Sequence, residues 1–134
     1  MIVEDRDDLL TDFGKTTLKD RYLLPDENSP QEAFYRAAKA YSDNDEMAER
    51  IYNYSSKLWF MYSTPILSNG GTARGMPISC FLNYVDDSRK GLTDHYTENA
   101  WLTSLGGGIG GYWGHIRSDG VKTSGGSQSS GSVP

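Results

Sequence analysis

The sequence predicts an α/β protein in which a helical segment is followed by a strand-helix-strand unit. Three observations predict it. Charge and glycine divide along the chain, since residues 1–62 hold 13 of the 18 acids and 8 of the 13 bases, a local charge of −5, while 63–134 hold 5 of each and 14 of the 15 glycines. A capped amphipathic pattern occupies 30–42, and two β-rich stretches flank a helical one in the second part. A charged, glycine-poor segment giving way to a neutral, glycine-rich one marks helices followed by backbone that turns sharply or approaches something closely. The boundary is placed near Ser63.

Ser29-Pro30-Gln31-Glu32 combines an N-cap Ser, Pro at the first helical position and Glu three residues after the cap. Phe34, Ala37, Ala38 and Tyr41 then recur at helical spacing, so a helix is expected over 30–42. A second helix is expected from Asn44 to Tyr62. Its stripe is Met47, Ile51, Tyr54 and Leu58, with Ala48, Tyr52 and Trp59 beside it, and both stripes read as core. Nothing in 1–62 reads as chemistry.

Residues 78–85 are rich in β-branched and aromatic side chains and end at Asp86-Asp87-Ser88, a strand leaving into a turn. A helix is expected from Thr93 or Asp94 to Leu105, stopped by Gly106, then a second strand over 109–116 and a turn at 117–120. Strand, helix, strand is the pattern of a parallel β-α-β unit. From Thr123 to Ser132 the chain is almost entirely Gly, Ser, Thr and Gln. That stretch is either a disordered linker or a loop leading into further structure. A parallel strand pair has two faces and two edges to cover, and little chain remains to do so, so a fragment of a larger fold is expected.

Several function classes are excluded. A single Cys forms no internal disulfide, and with two His it supplies no Cys/His zinc site. A net charge of −5 over 134 residues argues against direct nucleic-acid binding. No uncharged apolar run approaches the ~20 residues that span a bilayer, and the start is not a signal peptide. A cytoplasmic protein with no membrane partner is expected.

Gly14-Lys15-Thr16 looks like the end of a phosphate-binding P-loop, but that motif needs a glycine where Leu9 stands. The run Gly106 to Gly111 formally contains G-x-G-x-x-G, yet the dinucleotide fingerprint follows a strand and opens a helix, the reverse of the order here. Glycines at the start of a strand either admit a ligand close to the backbone or simply make a tight corner. Cys80 is either a buried small hydrophobe or a reactive thiol, and strand alternation puts it on the face opposite Ser79. Neither His95 nor His115 has a partner at a useful spacing, and both read as structural.

Taken together, Ser63 to Thr72, Arg74 to Leu82, Gly106 to Gly110 and Ile116-Arg117 resemble consecutive segments of the large catalytic subunit of ribonucleotide reductase. The stretch 30–62 resembles that family's helical domain. The resemblance implies an N-terminal helical domain (1–62) followed by the first strand, helix and strand of a ten-stranded α/β barrel (63–134), with an effector-site loop at 115–132. It implies radical reduction of ribonucleotides to deoxyribonucleotides, in which a thiyl radical removes the 3′ hydrogen and a cysteine pair then supplies the reducing equivalents. Cys80 matches the first cysteine of that pair, a role suited to a thiol that gives a proton and ends in a disulfide. Thr64, Ser79 and Gly108 match positions that hold the substrate. Asp87, Ser88, Arg89 and Arg117 match the specificity site for a deoxynucleoside triphosphate or ATP effector, where a guanidinium suits phosphate. A second arginine of that loop falls at Ser124, for which Lys122 is the candidate substitute.

The thiyl-radical cysteine, the second reducing cysteine, the active-site Glu and Asn and the C-terminal cysteine pair belong to later segments of the family. No ATP-cone sequence is seen either. The expectation is therefore the N-terminal part of a split or truncated large subunit, inert until it joins a complementary C-terminal chain. The implied partners are a second large subunit in a dimer, a small radical-generating subunit with a di-metal centre, and thioredoxin or glutaredoxin. Adenosylcobalamin is the alternative radical source, and no cofactor or metal is expected on this chain. A non-catalytic effector-binding module, or an inactive remnant of the family, is the alternative function.

Overall fold

A computed structural model describes residues 2–131, which divide into two compact units, one running to Ile78 and one starting at Ser79. The first is helical. A 3-10 helix (Glu4–Leu9) leads into α1 (Asp12–Arg21), α2 (Pro30–Ala40), α3 (Asp45–Ser56) and α4 (Thr64–Asn69). Its core is Leu18, Ala33, Phe34, Ala37, Ala38, Tyr52 and Leu67. Helix α2 forms where the sequence places it. Glu32 accepts from the backbone N–H of Ser29 (3.4 Å) and Asn28 (2.5 Å), satisfying donors that a helix start leaves orphaned.

Helix α3 stops at Ser56, short of Tyr62. Leu58 takes φ of 60°, and the N–H groups of Leu58 and Trp59 return to the carbonyls of Ser55 (2.9 Å) and Tyr54 (3.0 Å). This is a Schellman ending built without glycine, at about 1–2 kcal/mol for a side chain in the left-handed region. The buried face is also rotated from the expected stripe. Ala48, Tyr52, Ser55 and Ser56 are buried, whereas Tyr54, Leu58 and Trp59 are exposed, Trp59 at 69%. Two serines hide on the buried face because their hydroxyls are bonded. Ser55 Oγ lies 3.1 Å from Tyr62 Oη, which donates to Phe34 O at 3.2 Å. Burial pushes the Tyr62 hydroxyl pKa above its ordinary value, against the opposing bond from Ser55.

One side chain ties four segments of this unit together. Arg36 Nε and Nη2 donate to Glu27 (2.6 and 3.2 Å), Nη1 to the carbonyls of Leu67 (3.0 Å) and Gly70 (2.6 Å), and Nη2 also to Tyr22 O (3.2 Å). Every guanidinium N–H is thereby used, in a setting where the Arg36 and Glu27 side chains are only 12% and 9% exposed. Helix α4 is held to α2 in this way, and the first compact unit runs to Ile78. Helix α4 is only six residues long, too short for an apolar periodicity to show in the sequence.

The second unit is the expected β-α-β arrangement. Strand β1 (Cys80–Tyr84) pairs in parallel with β2 (Gly108–Tyr112), and α5 (Arg89–Ser104) connects them. Helix α5 begins a turn earlier than Thr93 because Ser88 caps it, its hydroxyl accepting from Gly91 N–H at 2.9 Å. Strand β2 is shorter than 109–116, since a turn closed by Ile116 N–H on Trp113 O (3.0 Å) follows it. The Gly/Ser stretch is a hairpin and no linker within the described residues. Asp119–Lys122 (β3), where a turn is expected from the sequence, pairs antiparallel with Gln128–Ser130 (β4). Ser132, Val133 and Pro134, the end of the expected tail, lie outside the described residues. The described strands make two two-stranded sheets and no closed barrel. No described helix is long and apolar enough to cross a membrane.

Replacing Arg36 by Met leaves Glu27 buried without its partner and three carbonyls without a donor. The expected loss is about 3–5 kcal/mol, the cost of breaking a buried pair from one side. Urea unfolding followed by helical circular dichroism measures it, and a loss below 1 kcal/mol, the usual range for an exposed pair, contradicts the role given to Arg36.

Candidate functional site

The site residues of the second unit are set by alternation along β1. Phe81 and Asn83 face α5. A Cβ on Gly107 at the end of that helix would lie 2.9 Å from the Phe81 ring, and Asn83 Nδ2 donates to Glu98 Oε2 (3.2 Å) and Asn99 Oδ1 (3.1 Å). Cys80, Leu82 and Tyr84 therefore stand on the opposite face, which no other helix or strand of this unit covers, with Leu82 at 90% exposure. The parallel register sets Gly108 beside Cys80, Gly110 beside Leu82 and Tyr112 beside Tyr84. Cys80 is thus a free, exposed thiol facing away from α5 and not a buried small hydrophobe. Ser79 precedes the strand, half-buried, and its carbonyl accepts from Gly108 N–H at 2.6 Å.

The glycines of the run differ in what packs against them. Gly106 has φ of +83° and ends α5, and a Cβ on Gly107 would sit 2.8 Å from Leu102 O, so these two make the corner. At Gly111 a Cβ would meet the buried His95 ring at 2.9 Å. Gly108 is different. Its nearest obstacle would be 3.6 Å away, so its bare backbone is not required by packing and leaves the face beside Cys80 open.

Thr64 lies in the first unit, as the first residue of α4, exposed, with Oγ1 3.2 Å from Tyr22 Oη. His95 is buried against the edge of Trp113 (5.0 Å) and bonded to Asn99 Nδ2 (2.9 Å), and His115 packs on the rings of Tyr84 and Tyr112.

Asp87, Ser88, Arg89 and Arg117 come together beyond the far ends of the same strands. They line a cleft of about 680 Å³ with Leu92, Thr123, Ser124, Gly125 and Ser127. Arg117 Nε donates to Asp87 Oδ2 at 2.8 Å, and Nη2 lies 3.4 Å from Asp87 O. Arg89 is exposed and has no acidic partner among the described residues. The opposite wall is the hairpin loop, closed by Thr123 N–H on Ser127 O (2.8 Å). Ser124 lines the cleft, and Lys122, at the end of β3, is not among its lining residues. Thr123 and Ser127 are the residues that sequence reasoning misses, since a Gly/Ser composition conceals a hairpin. Among the described residues no three His, Cys, Asp or Glu side chains cluster as metal ligands.

Residues 8–75 match the family described as "Ribonucleotide reductase, all-alpha domain", and 78–134 match "Ribonucleotide reductase, barrel domain". The chain belongs to the ribonucleotide reductase large-subunit family. It is 44% identical over 110 residues to the ribonucleoside-diphosphate reductase large subunit of Invertebrate iridescent virus 3, covering 81% of this chain and 18% of that protein. To the large subunit of Vaccinia virus (strain Copenhagen) it is 37% identical over 131 residues, covering 93% of this chain and 17% of the relative. The alpha subunit of the class Id ribonucleotide reductase of Actinobacillus ureae is similar in structure, with a TM-score of 0.68 at 32% identity over 81% of this chain and 21% of that one. The chain thus spans about a fifth or less of the relatives it matches.

A methyl group should separate the two kinds of glycine. Gly107→Ala must displace Phe81 or unwind the end of α5, so its thermal midpoint is expected to fall, whereas Gly108→Ala keeps the midpoint of the parent chain. Equal melting curves for the two variants would contradict this division.

Proposed function

We propose that this chain supplies the N-terminal part of a ribonucleoside-diphosphate reductase large subunit and acts with the remaining segments of that subunit. The observation that carries the reading is Cys80, a free thiol on the open face of a parallel sheet, with a glycine of unforced backbone paired beside it. In this reading Cys80 is one of two thiols that reduce the substrate. It donates its proton as the ribose 2′-hydroxyl leaves as water, and the two sulfurs form one disulfide while the carbon is reduced by two electrons. Thr64, Ser79 and Gly108 position the ribonucleotide by hydroxyl and backbone contacts. The partner thiol and the thiyl radical belong to the complementary segments. A radical supplied by a di-metal small subunit, with adenosylcobalamin as the alternative, starts the chemistry from outside this chain, and thioredoxin or glutaredoxin returns the disulfide to thiols. A dimer of large subunits is the assembly expected of the reading.

The cleft of Asp87, Ser88, Arg89 and Arg117 is assigned to a deoxynucleoside triphosphate or ATP effector, with loop 115–132 as its cover. Two guanidinium groups line it, one of them without an acidic partner among the described residues, and a guanidinium suits phosphate. Asp87 holds Arg117 in place through Nε and leaves Arg89 for the ligand. Because this cleft lies wholly within the second unit, a second reading has support: an effector-binding module without the reaction.

Reconstitution with the remaining large-subunit segments and the small subunit distinguishes the two. Cys80→Ser is expected to lower deoxynucleotide formation by at least about a thousandfold while effector binding is unchanged. Undiminished turnover in Cys80→Ser would leave the binding module as the function, and turnover by this chain alone would refute the need for a complement.

A further inference from the structure

A second basic cleft lies in the helical unit. It measures about 590 Å³ and is lined by Lys15 and Lys19 from α1, Arg74 from the segment after α4, Asp7, and Leu23, Leu24, Pro25, Glu27 and Asn28 between α1 and α2. Three cations converge here within a unit whose first 62 residues carry a charge of −5. The acids in the lining do not cancel them. Glu27 is matched by Arg36 at 2.6 Å, so Asp7, bonded to Gln31 Nε2 at 2.8 Å, is the one acid left in the wall. Lys15 reaches only the exposed Asp8, at 3.8 Å, and Lys19 and Arg74 have no acidic partner among the described residues. Lys15 and Lys19 are also an i, i+4 like-charge pair on one helix, an arrangement that costs a few tenths of a kcal/mol with nothing between them.

We propose that this cleft is a phosphate-binding site, taking a small phosphorylated molecule or polyphosphate whose anion sits between Lys15, Lys19 and Arg74. A lysine pair contributes point charges and Arg74 a planar fork, the combination that suits a phosphate group with several free oxygens. Gly14-Lys15-Thr16 takes no part as a P-loop, because Gly14 lies inside α1 and the lysine acts from the side of the helix. The site is independent of the reaction assigned to Cys80 and of the effector cleft, so it stands or falls separately from them.

Inorganic pyrophosphate is the probe, titrated into the full chain and followed by amide chemical shifts. An Arg89→Ala, Arg117→Ala background removes the cations of the other cleft. Saturable shifts at residues 15, 19, 23, 24, 27, 28 and 74 are expected in that background, with Lys19→Gln plus Arg74→Gln weakening the affinity at least tenfold. Both substituted side chains are solvent-exposed, so helical circular dichroism should be unaltered in that variant. The proposal is overturned if these residues do not shift, if sodium chloride of equal ionic strength reproduces the shifts, or if the double substitution leaves the affinity unchanged.

Discussion

The parallel pairing of Cys80 with Gly108 is the constraint on which the second unit depends. A parallel pair needs a crossover, and the crossover helix α5 can cover only one face of it. Phe81 and Asn83 take the covered face, and everything else follows by alternation. Shifting β1 by one residue would turn Cys80 under the helix and bring Phe81 out. The same register also carries the chain out of β1 and β2 at one end, where Asp87 and Arg117 meet. Two groups of polar residues are thereby held at opposite ends of one strand pair, on the order of 20 Å apart from the rise per residue of a strand.

The first unit is organised differently. Its apolar core is small, with three of its seven members alanine, and polar side chains complete it. Arg36 binds α1, the following loop and α4 to α2, while Gln31 and Tyr52 bind the N-terminal segment, through Asp7 and through Val3 N–H on Tyr52 Oη at 2.8 Å. A core of this kind specifies one arrangement strongly, because each buried polar group is costly without its partner.

This also explains what the sequence could reveal. Helix α2 and the β-α-β unit were legible because a capping box, a 3.6-residue stripe and β-branched runs are local signals. The face of α3 was not, since Ser55 and Ser56 are buried through hydrogen bonds that no hydropathy pattern contains, and Leu58 ends the helix in a conformation usually left to glycine. Helix α1 buries only Leu18, too little to make a stripe, although Thr11 gives it a capped start with an Oγ1 acceptor for Gly14 N–H. The hairpin β3-β4 was hidden by a composition that equally suits a linker. Cys80 and Asp87, Ser88, Arg89 and Arg117 are singled out by family resemblance, whereas the orientation of Cys80 and the part of Thr123 and Ser127 in the cleft wall required the fold.

The central claim is that the open face presents Cys80 to a substrate and makes it half of a reducing pair. Alkylation of the reconstituted enzyme, given ribonucleotide but no external dithiol, tests it most directly. After one turnover Cys80 should be protected from iodoacetamide and recovered in a disulfide-linked peptide, in an amount matching the deoxynucleotide formed. Deoxynucleotide formation with Cys80 still fully alkylated would contradict the account.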